Sequence, residues 1–125
     1  MSDLQPKGVK ITIGGVEREL LFTLAAVDEV QALYDEPVSE TIRKMSDEDK
    51  VVDIVFHIML ILINDKIARD RFFNGSTEGP LEEQQLKWMM SIDQLDLYVR
   101  TILSAYGYSL PEEEEDNPNA ESRSS

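Results

Sequence analysis

The stretch VVDIVFHIMLILINDKI, Val51 to Ile67, decides the fold, because no other segment of this length is so apolar in a chain of net charge -13. As a helix it would be about 25 Å long, with apolar side chains around nearly its whole circumference, so one covering layer cannot bury it. Its charge-free window, Ile54 to Asn64, would cross only about 16 Å of a hydrocarbon core about 30 Å thick. The segment therefore reads as a core helix rather than a membrane span. A face left over after intramolecular packing, represented by Val51, Val55, Ile58 and Leu62, is a candidate partner-binding surface. It would also let the helix bury itself against a second copy, which predicts a homo-oligomer.

Asp53, His57 and Asn64 fall within about 40° of one another on a helical wheel, a narrow polar stripe with Leu60 between them. His57 is the one histidine in the chain. Catalytic and metal sites come as constellations, and no further ligand or orienting group is evident nearby, so the stripe reads as hydrogen-bonded or solvated surface.

Outward from this helix, the N-terminal side begins with a hairpin signal. Val9, Ile11 and Ile13 alternate with polar residues, and Gly14-Gly15 supplies the positive φ angles of a two-residue turn before Val16. The register then places Ile13 opposite Val16, Ile11 opposite Arg18 and Val9 opposite Leu20, with Lys10 facing Glu19 as an opposite-charge pair. Two strands alone are marginal, so the Val9, Ile11, Ile13, Val16, Leu20 face is expected on the helices rather than in a partner's sheet. Thr23 can cap a helix through Leu24, Val27, Val30 and Tyr34 that ends before Pro37. A short helix over Val38 to Met45 follows. Ser46, with Asp47, Glu48 and Asp49 behind it, then offers a cap and three carboxylates for the start of the central helix.

On the C-terminal side, Asn74 to Gly79 is a loop by composition, and Pro80 suits the first turn of the next helix. Trp88, Met89 and Met90 join the candidate partner-binding set, since Met repacks easily and Trp is a common interface anchor, although core packing is the reading favoured for Trp88. Ser91 to Gln94 has the form of a capping box, and Leu95, Val99, Ile102, Leu103 and Tyr106 make one apolar stripe that Gly107 would end.

These elements make an α+β, mainly α domain over residues 1–110, with a hairpin at 9–22 on about four to five helices at 24–106. Residues 111–125 carry Glu112, Glu113, Glu114, Glu115, Asp116 and Glu121 against Arg123 alone. Such a segment buries too little apolar surface to offset its ordering entropy, so a disordered acidic tail is expected.

With 25 acids against 12 bases, phosphate-rich partners and anionic membranes are disfavoured. The absence of cysteine excludes disulfides and thiolate metal sites. The first residues lack an apolar signal region, so a cytoplasmic protein is expected. No Ser-His-Asp, paired-His, phosphate-loop or dinucleotide motif is present, so neither catalysis nor a cofactor is expected.

The order of features resembles the small tail assembly chaperones of siphophages and prophages of Gram-positive bacteria. The features that carry it are Pro6-Lys7-Gly8, the Gly14-Gly15 hairpin, Phe22-Thr23-Leu24 with Ala26 and Asp28-Glu29, Pro37-Val38-Ser39, Ile61 to Asn64, the Ile92 to Ala105 helix, and Leu110-Pro111 before the acidic tail with Asn117 to Ala120. The resemblance implies an assembly factor that keeps the tape measure protein soluble and recruits tail tube protein around it. It would act in the host cytoplasm and be absent from the mature virion. A structural tail component and an acidic regulatory or DNA-mimic protein are the alternative readings.

Overall fold

The computed structural model of the protein describes residues 8–108, so the acidic segment Glu112 to Asp116 lies outside the described residues. Strands β1 (Val9–Ile13) and β2 (Val16–Leu20) form an antiparallel hairpin, followed by α1 (Leu24–Tyr34), α2 (Val38–Arg43), a 3-10 turn at Lys44–Ser46, α3 (Val51–Asn74), α4 (Glu83–Met89), a second 3-10 turn at Ile92–Gln94, and α5 (Leu95–Tyr108). The architecture is the α+β, mainly α fold expected, a hairpin on five helices.

The hairpin register is the one the sequence dictates, Val9 opposite Leu20 through Ile13 opposite Val16, with Gly14 and Gly15 both at positive φ. Its inner face is less uniform than its pattern. Ile11, Ile13 and Leu20 are buried, but Val16 at the turn is exposed. Arg18 shares their face and meets Glu78 at 3.0 Å. Glu19 turns from Lys10 toward Lys66 of α3, 3.5 Å away, and accepts from the Gly8 amide at 3.3 Å.

Helix α3 is longer than its apolar run, 24 residues and therefore about 36 Å. Gly75, at φ 72°, ends it in the left-handed conformation, and the Ser76 amide closes back on the Asp70 carbonyl at 3.2 Å. The helix lies in a cage of β2, α1, α4, α5 and the first 3-10 turn, and Ile54, Val55, Ile58, Met59, Leu62, Ile63 and Ile67 are all buried. α1 runs antiparallel to it. Thr23 accepts from the Ala26 amide, capping α1 as expected, while its hydroxyl donates to Asp65 of α3 at 2.9 Å. At the other end Tyr34 reaches Asp53. Phe22 stacks edge-on against Tyr106 of α5, joining the hairpin to the last helix.

Several local expectations are corrected. Ser46 does not cap α3, because it still belongs to the preceding 3-10 turn and donates to the Arg43 carbonyl. Asp47 shapes the entry instead: its side chain accepts from Asp49 and its carbonyl from Lys50 and Val51. Pro80 does not open α4. Asn64 clamps the extended backbone of Leu81, donating to its carbonyl at 3.0 Å and accepting from its amide at 2.8 Å, so the helix starts later, at a Glu82/Gln85 capping box. Ser91 makes no side-chain cap, and its amide donates to the Tyr98 hydroxyl at 3.0 Å. α5 is rotated from its expected stripe, with Tyr98, Ile102 and Ala105 buried and Leu103 exposed, and it continues through Gly107.

Two substitutions test this packing. Leu62→Ala should cost about 2–5 kcal/mol, because a fully buried side chain leaves a cavity. Asn64→Ala should cost about 1–3 kcal/mol, because the Leu81 amide and carbonyl lose their partner. Urea unfolding of both variants measures these losses as lower midpoints at unchanged slope.

Candidate functional site

An open groove of about 560 Å³ lies between the N-terminal half of α3 and the connection from α4 to α5. One wall is Asp49, just before α3, with Val52, Asp53, Val55, Phe56 and His57 of α3. Lys87, Met90, Ser91, Ile92, Leu95 and Tyr98 form the other wall. The groove exists because α4 is only seven residues long and ends at Met89, so the chain crosses to α5 without covering the start of α3. Leu86 is the fully buried residue of α4, which anchors that short helix to the core.

The candidate partner-binding residues separate into three environments. Val55, Ile58 and Leu62 are buried within the subunit, so the central helix has no surplus face at those residues; five elements pack on it. Val55 reaches only the groove wall, and Val51 is half-buried against the core. Met89 packs beneath the hairpin turn, where a Cβ on Gly14 would lie 2.7 Å from its Cγ. Met90 lines the groove. Trp88 is 76% exposed, which overturns the core reading: it stands two residues, about 200° of helix, from inward-facing Leu86.

The sequence pattern missed other exposed apolar residues. Val52 and Ile92 are exposed at the groove, and Phe72 and Phe73 stand outward on the last turns of α3 with their rings 4.8 Å apart, edge to face. Val52 and Ile92 sit beside acids and read as element starts, so their exposure follows from the path of the chain between α4 and α5. Phe72 and Phe73 fall in a stretch rich in charge, Ala68 to Asn74, that the apolar count passes over.

The stripe on α3 is structural. Asn64 is the Leu81 clamp. Asp53 accepts from the Tyr34 hydroxyl at 3.3 Å, and His57 Nδ1 lies 2.9 Å from the Asp53 carbonyl oxygen and 3.3 Å from its carboxylate. His57 is also edge-on to both Tyr34 and Phe56. Lys87 Nζ sits 5.4 Å above the Phe56 ring, a cation–π contact across the groove. Among the described residues no group of three His, Cys, Asp or Glu side chains is placed to hold a metal ion. No helix among them is long and apolar enough to cross a membrane. The groove thus combines apolar area with charged side chains at its walls.

Burial first, then the Asp53 carboxylate, holds the Tyr34 hydroxyl well above the usual phenol range. A raised folded-state value means that the stabilisation is complete below about pH 10, where the unfolded phenol titrates, and is lost as pH rises beyond it. Wild type should therefore lose stability above about pH 10 more steeply than Tyr34→Phe, in urea midpoints taken across the alkaline range.

Comparison with protein-family models, with curated proteins and with solved structures found no match to this chain.

Proposed function

We propose that this protein is a tail assembly chaperone of the siphophage type, a non-catalytic factor that holds the tape measure protein in a soluble, assembly-ready form and recruits tail tube protein. The observation that carries the reading is the groove, an apolar floor left open on a body whose sequence carries net charge -13. A chaperone of this kind must offer apolar surface to a client without aggregating, and a strongly charged exterior supplies the repulsion between copies. The arrangement of sequence features supports the same reading. Exposed Trp88, Phe72 and Phe73 add apolar contact area outside the groove.

In this reading the protein works in the host cytoplasm and leaves before the virion is complete. Self-association through Val55, Ile58 and Leu62 of the central helix is not favoured in this reading, because those side chains are buried within the subunit. A second copy would have to use exposed residues such as Phe72 and Phe73.

Co-expression with the tape measure and tail tube proteins, followed by pull-down, tests the proposal. Both should co-purify with the wild-type chain, and Val52→Ser with Ile92→Ser should reduce capture about tenfold, equivalent to roughly 1.4 kcal/mol. Indifference of both proteins to the wild-type chain would sink the assignment. Recovery of the protein in purified particles would favour a structural tail component instead.

A further inference from the structure

The groove has a chemical selectivity that apolar area alone does not confer. It runs from Asp49, just before α3, to His57, along about the first two turns of that helix. Its floor is Val52, Phe56, Met90, Ile92, Leu95 and Tyr98. Asp49 and Asp53 line the groove, Asp47 and Glu48 are exposed just before α3, and Asp93 and Asp96 are exposed next in the chain to the groove residues Ile92 and Leu95. Residues 47–57 and 87–98 thus hold six carboxylates against two lysines, Lys50 and Lys87. Lys87 is already engaged over Phe56.

An apolar floor with acid on both sides fits one kind of occupant. The geometry points to a basic amphipathic helix of a client protein, its apolar face at i, i+3 or i+4, and i+7 seated on the floor and its flanking Lys or Arg side chains meeting the acidic edges. This rests on reading the groove as the client site and specifies which client segments it selects. Charge decides against the other occupants. A second copy brings a second pair of acidic edges into the same contact. The chain's own residues 109–125 carry six acids and one base, and would be repelled likewise. An extended acidic client helix fails for the same reason.

The interaction is screened by salt, since the edge carboxylates are exposed, while the apolar contact is not. Asp53, approached by Tyr34 and His57, and Asp47, which accepts from the Asp49 amide, help to hold α3, whereas Asp93 accepts from the neighbouring Ser91 hydroxyl and lies with Asp96 on the opposite side. Asp93 and Asp96 are therefore the positions to reverse.

Fluorescence anisotropy with two labelled peptides of about 18 residues, five turns each, tests the inference on the full chain. The peptides share one leucine face and differ in having lysine or glutamate on the other. The lysine peptide should bind at least about tenfold tighter, and its affinity should fall as salt rises from about 50 to 500 mM. Ile92→Ser should weaken it by about tenfold, as should the charge reversal Asp93→Lys with Asp96→Lys; Asp96→Lys alone should show part of the loss. Asp28→Lys with Glu29→Lys, on the exposed face of α1, should change binding by less than about twofold. Equal binding of the two peptides, no effect of Ile92→Ser, or an equal effect of the α1 reversal would overturn the inference. The two readings fail separately. Capture of the tape measure protein that survives Ile92→Ser and the α5 reversal refutes the groove's selectivity alone, whereas selective peptide binding with no tape measure capture refutes the chaperone assignment alone.

Discussion

The structure depends on covering α3. A helix with apolar side chains around most of its circumference is stable in water only when several elements pack on it, and each buried Ile or Leu contributes roughly 1.5–3 kcal/mol when that happens. The chain supplies the cover from both sides in sequence: the hairpin through β2 and α1 from before it, α4 and α5 from after it. Polar side chains fix the fit at the ends. Thr23 to Asp65 and Tyr34 to Asp53 align α1, while Asn64 fastens the loop that would otherwise cross the helix freely.

The groove is where that cover stops. Leu86 ties α4 down, but the helix ends at Met89 and Met90 is already extended, so the first two turns of α3 face a gap rather than a neighbour. The acids near α3's start serve the folded state as well, because Asp47 shapes the chain entry and Asp53 lies in the helix's first turn, where negative charge is favoured. One set of carboxylates thus orders the helix start and sets the charge beside the groove.

The fold was largely legible in the sequence because its signals are local. Alternation and Gly14-Gly15 gave the hairpin register residue for residue, and Thr23 marked the start of α1. Boundaries that depend on distant contacts were not legible. Nothing near Pro80 shows that Asn64, 17 residues before Leu81, will hold the chain extended there. The same limit applies to the candidate site. Val55, Ile58 and Leu62 read as surplus because the number of covering elements is a tertiary quantity, and Trp88 read as core because a lone aromatic carries no sign of its direction. Met90, a candidate by residue type, does line the groove, but Val52 and Ile92 emerge only when the α4–α5 crossing is known.

Amide hydrogen exchange on the complex with the tape measure protein tests the central claim, that the uncovered start of α3 is the client-docking surface. Binding should slow exchange in two separated segments, residues 49–57 at the start of α3 and 90–98 across the α4–α5 connection, while the exposed Phe72–Phe73 turn keeps its free rate. Protection confined to the end of α3, or to the hairpin, with the two groove segments unchanged, would contradict it.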